Sequence, residues 1–144
     1  MSKPLDIADK MAARLTALTA LAGVTCMVDR QKDIATEVAK GVAKVSACCV
    51  TILYQGYTNP DASQTGRPVA THHYTVTINA RPVLAGAGGM HADDALQLVS
   101  RCLHNWDATE ATDGFSEIHI NRSSLRPDAK YLVYDMDLDV ITSL

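Results

Sequence analysis

Residues 131–142, Tyr-Leu-Val-Tyr-Asp-Met-Asp-Leu-Asp-Val-Ile-Thr, alternate in side-chain character almost without fault. An alternation of period two predicts one long β-strand, because successive side chains of an extended chain point to opposite faces. Leu132, Tyr134, Met136, Leu138 and Val140 share one face, while Asp135, Asp137 and Asp139 share the other, with Val133 and Ile141 at their ends. At about 3.3 Å per residue such a strand spans about 40 Å, against a usual length of about five or six residues. A strand of that reach outruns the body of a small domain, and the natural cover for the excess is a partner subunit.

A chain of 144 residues can bury roughly two-thirds of its unfolded surface around one core, so residues 1–144 read as a single domain. Lys and Arg number 13 against 16 Asp and Glu, for a net charge of −3 without any basic block, which disfavours binding of nucleic acid through phosphate neutralisation. Cys26, Cys48, Cys49 and Cys102 show no Cys-x-x-Cys spacing and read as reduced, partly buried thiols. The amino-terminal Met-Ser-Lys-Pro-Leu-Asp has no apolar signal core, and no run approaches the roughly 18 apolar residues of a membrane span. The expectation is a cytoplasmic protein with no membrane partner.

Apolar residues Ile7, Met11, Leu15, Leu18 and Leu21 fall at spacings of three and four, which predicts an amphipathic helix over 6–22 with Gly23 as its stop. Residues 24–28 are an apolar run that suits either a strand or a buried connection. Ile34, Val38, Val42 and Val45 mark a second helix with Asp33 as N-cap. Residues 48–57 are β-rich, with Cys48, Val50, Ile52 and Tyr54 on one face. Residues 58–70, with Asn-Pro-Asp at 59–61 and Gly-Arg-Pro at 66–68, read as a long mobile loop. Residues 72–81 alternate again, placing Tyr74, Val76, Ile78 and Ala80 inward, and complete a long hairpin. A third helix is expected over 92–106, followed by a strand over 116–122 that forms a second hairpin with 131–142. This order predicts an α+β, two-layer domain with a mostly antiparallel sheet of four to five strands covered by helices.

Motifs that carry chemistry are weak throughout. Gly86-Ala87-Gly88-Gly89-Met90-His91 follows a strand and opens a helix, as a dinucleotide-binding turn does, yet His91 stands where a small closing residue is needed. The plainer account is a glycine-rich connector. His72, His73, His91, His104 and His119 could serve a metal or acid-base site, with the aspartates of 135–139 as carboxylate partners. Their spacing argues otherwise: no His-x-x-x-His pair shares a helix face, and His72 and His73 point oppositely on a strand. No Gly-x-Ser-x-Gly elbow surrounds any serine. The expectation is therefore no catalysis, no metal and no cofactor. A metal-dependent or nucleotide-using enzyme is kept as the competing class, on the histidines, aspartates and glycines alone.

Asp135, Asp137 and Asp139 read as a solvated face, a subunit seam or the lining of a lumen. Acidic side chains in a row discourage unwanted edge pairing, and a ring lined with them repels DNA phosphates and lets the polymer slide. Arg122, Arg126 and Lys130 are candidates for the complementary contact on a neighbouring subunit, against the plainer account of ordinary surface charge.

Taken in order, several segments resemble the tail terminator, or tail completion, proteins of long-tailed bacteriophages. They are the helix over 6–22, the apolar run 24–28, the helix leading into Cys-Cys-Val-Thr-Ile-Leu-Tyr-Gln-Gly at 48–56, Tyr-Thr-Val-Thr-Ile at 74–78, the helix over 92–106 and the terminal strand. The resemblance lies in element order, size and strand character over nearly the whole chain rather than in a short fingerprint. It implies a structural virion protein and no enzyme: a homo-oligomeric ring, usually a hexamer, that caps the tail tube and terminates its polymerisation. Its implied partners are the tail tube protein and a head completion or neck protein, with DNA passing through without specific binding. The implied location is the head-tail junction of the virion, after assembly in the host cytoplasm. A head-tail connector or neck protein shares the same small α+β pattern and is the alternative. The glycine turn at 86–89 has no counterpart in the resemblance.

Overall fold

The computed structural model describes residues 3–21, 23–29, 34–42, 48–62, 68–81, 91–108, 116–126 and 131–143. Helix α1 (Lys3–Ala17) begins ahead of its expected start, because Pro4 stands in the first turn, where a missing N–H costs no intrahelical bond. Asp6 near its start and Arg14 near its end suit the helix dipole. A 3-10 turn (Thr19–Leu21) and Gly23, at φ +83°, redirect the chain into strand β1 (Thr25–Val28), so the run left open between strand and connection is a strand. Helix α2 (Ile34–Val42) follows. Its expected cap Asp33 and its expected continuation over 43–45 lie outside the described residues.

Strands β2 (Cys48–Ala62) and β3 (Pro68–Ala80) pair antiparallel from Cys48 opposite Ala80 to Ala62 opposite Pro68. The expected loop over 58–70 is corrected here: 58–62 and 68–70 belong to the ladder, and 63–67 lie outside the described residues. Asn59 and Pro60 are absorbed by a register shift between Thr58 and Asp61. Pro60 is tolerated because β1 stops pairing at Ile52, which leaves β2 an edge beyond that point among the described residues. Helix α3 (Ala92–Leu103) ends before Trp106, since Asn105 adopts φ +62° and Trp106 N–H donates back to the Leu103 carbonyl at 3.1 Å. Strands β4 (His119–Arg126) and β5 (Leu132–Ser143) form the second hairpin.

The five strands lie in the order β1-β2-β3-β5-β4, and only the β1–β2 pair is parallel. The α+β class and the mostly antiparallel sheet stand as read. The cover expected for β5 from a partner subunit is corrected: this strand is interior to the sheet. It pairs with β3 from Leu132 to Ser143 and with β4 from Val133 to Asp139. Only residues 140–143 reach past the start of β4. The reason is that β4 is itself eight residues long and supplies hydrogen-bond partners over most of the strand.

Period two then sorts the sheet into two faces. Val50, Ile52, Val76, Ile78, Met136, Leu138 and Val140 form one core with Ile7, Met11 and Leu15 of α1 and Ala95, Val99 and Leu103 of α3. Each large apolar side chain fully buried there contributes about 1.5–3 kcal/mol. Tyr74 reaches through this layer, and its hydroxyl donates to the Pro4 carbonyl at 2.8 Å, tying β3 to the start of α1. On the opposite face α2 covers one end only. Val42, Cys49 and Val133 are buried there apart from the main core, and Cys49, Asn79 and Val133 are in register across three strands.

Gly56, at φ +100°, sits at the register shift after Tyr54 in the β2–β3 ladder, and a Cβ added to it meets no atom within 4 Å. Gly56→Ala therefore isolates backbone strain from crowding and should cost about 1–2 kcal/mol. A urea midpoint equal to that of the parent chain would contradict this account.

Burial pushes the Cys48 thiol up to about 12, with Cys49 and Cys26 adding to the shift, and pushes Cys26 up to about 11. Burial also raises Tyr74 above its ordinary value. Above about pH 9, the ordinary thiol value, the unfolded chain loses protons that the folded chain keeps. Stability should therefore be flat with respect to these thiols below pH 9 and fall as pH rises toward 12. Urea midpoints measured across that window should decline less steeply in Cys48→Ala.

Candidate functional site

The face of the sheet opposite the main core carries Asp135, Asp137 and Asp139 on its interior strand, and the neighbouring strands determine what surrounds them. On β3 the residues in register are Thr77, Thr75 and His73, and on β4 they are Ser124, Arg122 and His119. On β3 and β5 these residues follow the alternation that buries the other face; on β4 a register shift between Ile120 and Arg122 interrupts it, and the His119 ring lies beside His104 at the end of α3.

Each aspartate is engaged within its own chain. Arg126 approaches Asp135 with two nitrogens, Nε at 2.8 Å from Oδ2 and Nη2 at 3.3 Å from Oδ1, while the Thr77 hydroxyl donates to Oδ1 at 2.9 Å. Arg122 Nε lies 3.6 Å from Asp137 Oδ2, a pair at least half exposed on both sides and hence weak. Asp139 Oδ1 lies 2.6 Å from His73 Nδ1, and its Oδ2 accepts from Asn121 Nδ2 at 2.7 Å. Arg122 and Arg126, expected as contacts for a neighbouring subunit, thus meet the aspartates of the same chain. Lys130 lies outside the described residues. The three carboxylates face two guanidinium groups and an imidazole, and the stripe is a ladder of paired charges rather than a bare acidic surface.

The His73 row crosses four strands. The Thr58 hydroxyl of β2 lies 2.7 Å from His73 Nε2, His73 Nδ1 bonds Asp139 of β5, and Asn121 of β4 completes the row. With Nδ1–H donating to the carboxylate, Nε2 accepts from Thr58; a protonated ring donates to both. The row closes in either state. Its hydroxyl, imidazole and carboxylate have the connectivity of a nucleophile, a base and the group that orients it. The sequence offered His73 and the aspartates as acid-base partners and spacing argued against them, yet strand register brings His73 to Asp139. Thr58 drew no attention, because its partner is likewise set by register rather than by local spacing.

The other candidates disperse. His72 is buried on the core face, its Nδ1 2.9 Å from the Tyr54 hydroxyl. His104 and His119 lie side by side where α3 meets β4, with ring centroids 5.4 Å apart, and the Ile120 N–H donates to His104 Nδ1 at 3.2 Å. His91 is exposed at the start of α3. No group of three or more His, Cys, Asp or Glu side chains converges as metal ligands among the described residues. Cys26, Cys48, Cys49 and Cys102 are free thiols. The glycine cluster at 86–89, and with it the nucleotide-turn reading, lies outside the described residues. No described helix is long and apolar enough to cross a membrane.

No protein-family model matches this chain, and no curated protein matches it. Among solved structures it is similar to a chain from the virion of a native gene transfer agent (GTA) particle, with a TM-score of 0.61 at 15% identity. The alignment covers 97% of this chain and 95% of that one, so the likeness in fold runs from end to end.

The charge ladder leads to a graded expectation. His73→Ala breaks the four-strand row and leaves the half-buried Asp139 short of a partner, at a cost of about 1–2 kcal/mol. Arg122→Ala removes only an exposed pair and should cost under about 0.5 kcal/mol. Chemical denaturation of the two variants tests this order, and equal losses would show that the row adds nothing beyond a surface pair.

Proposed function

We propose that this chain is a structural protein of a phage-like virion. In this reading it is a homo-oligomeric ring, of six copies by the resemblance to tail terminators, that caps the tail tube, terminates its polymerisation and offers the surface where head and tail join. The observation that carries this reading is the end-to-end likeness to a chain of the gene transfer agent virion. The tail-capping role comes from the resemblance in element order and strand character. In this reading the protein serves assembly rather than catalysis and sits at the head-tail junction of the virion.

The sheet supports association between copies. Beyond Ile52 the outer edge of β2 has no strand partner among the described residues, and beyond Asp139 neither does the outer edge of β5. Both edges flank the same three-stranded arm, formed by the ends of β2, β3 and β5. Open edges are templates for pairing with another chain. Because the two edges differ, a contact between them is heterologous, and such contacts close into rings when the rotation allows. The tail tube protein and a head completion or neck protein are the further partners, and paired charges on the open face offer little grip to DNA phosphates passing through.

Electron microscopy of the purified protein, alone and mixed with tail tubes, tests the reading. Rings, or caps at tube ends with elongation arrested, are expected. Monomers under both conditions would overturn it, and labelling confined to the portal side would move the assignment to a head-tail connector. Ile141, an exposed apolar residue beside the open edge of β5, gives a sharper test. Ile141→Lys should abolish rings or caps while leaving the thermal midpoint of the monomer unchanged, since an edge charge opposes strand addition.

A further inference from the structure

We propose that the groove between α1 and α3 is a docking site for an amphipathic helix of a partner protein, one whose apolar anchors are flanked by carboxylates. The two helices lie side by side over the main core, and their outward sides enclose a groove of about 840 Å³. Ala13 and Ala17, one helical turn apart on α1, line it with methyl groups alone and admit close approach. Its walls are apolar, built from Leu18 after α1, Leu98 of α3 and Trp106 after α3. Each of these three is only partly buried.

The rim is basic. Lys10, Arg14 and Arg101 surround the groove and, among the described residues, no acidic residue lines it, in a chain whose net charge is −3. Arg14 is held in place: its Nε donates to the Cys102 carbonyl at 2.9 Å, and its guanidinium carbon lies 4.5 Å from the Trp106 ring centroid. That bond satisfies one of the carbonyls left open at the end of α3 and fixes the groove's shape before any partner arrives. Lys10 pairs with the exposed Asp6 at 3.6 Å, a surface pair of little strength. An apolar groove within a ring of cations matches a helix with leucine-like anchors and glutamate or aspartate flanks. A nucleic acid is a poorer match, because its backbone asks for cations along a polar track rather than around an apolar groove. The site belongs to the helical layer and does not depend on ring closure through the sheet.

Trp106 is the only tryptophan in the chain, so intrinsic fluorescence reports directly on the groove. The probes are a synthetic helical peptide with leucines at spacings of three and four and glutamates elsewhere, the same peptide with lysines for glutamates, and a single-stranded oligothymidine. The glutamate peptide should give a saturable blue shift of Trp106 that weakens as salt is added. Binding should fall about tenfold or more in the double variant Lys10→Glu, Arg101→Glu, two exposed positions whose exchange leaves the core intact. That same variant should now bind the lysine peptide, a charge swap that a misfolded protein could not show. The proposal is overturned if the glutamate peptide gives no shift, or if both peptides bind the parent chain alike. It is equally overturned if oligothymidine moves Trp106 more strongly than the glutamate peptide. A blue shift that grows with protein concentration alone would assign the groove to a second copy of this chain instead.

Discussion

The register of β5 between β3 and β4 is the constraint on which the rest of the molecule depends. Its twelve residues alternate with period two, so a slip of one position would carry Met136, Leu138 and Val140 to the open face and drive three aspartates into the helical layer. Burying even one unpaired carboxylate costs far more than a single strand pairing returns. The correct register is thus enforced twice, by what the core accepts and by what it rejects. β3 inherits it through a ladder that runs the whole length of β5, and β2 inherits it in turn from β3.

The polar pairs act within that frame. Asp135 with Arg126, Asp137 with Arg122, and Asp139 with His73 and Asn121 form three rungs across the open face. Singly each is modest, because hydration already stabilises half-exposed charges. Together they make β4, an edge strand with little core of its own, adhere in one alignment. Two of the three carboxylates on this face are thus matched by guanidinium groups and the third by an imidazole, and in the proposed assembly such a surface would pass a charged polymer without retaining it. The helical layer on the other side is different in kind, with a basic rim set around apolar walls. In the proposed assembly these two surfaces and the open arm would serve separate contacts.

Much of the fold was legible in the chain. The spacings of Ile7, Met11 and Leu15 and the alternation over 72–81 correspond to the buried sides of α1 and β3. The segment 58–70 was not legible, because Asn59, Pro60 and Asp61 are turn formers wherever the chain is free to turn. Here two long partners hold the hairpin extended, and Pro60 lies where β2 is an edge and its missing N–H breaks no described bond. The end of α3 was overextended for a related reason. Trp106 continues the helical spacing, yet Asn105 leaves the helix and Asn105 and Trp106 exchange backbone hydrogen bonds with Ile118 instead.

The sequence by itself determined the order of the three helices and of four of the five strands, the buried sides of α1, α3 and the long strands, and the placing of three aspartates on one face of one strand, while leaving β1 open. These are consequences of period, a property shared by neighbours a few residues apart. Only the tertiary structure decided what meets those aspartates and that β5 lies inside the sheet. It likewise joined His73 to Asp139 across 66 positions and Arg14 to the Cys102 carbonyl across 88. Such pairs follow from strand register and helix packing, in which one added or missing residue changes every contact. No local pattern can encode them.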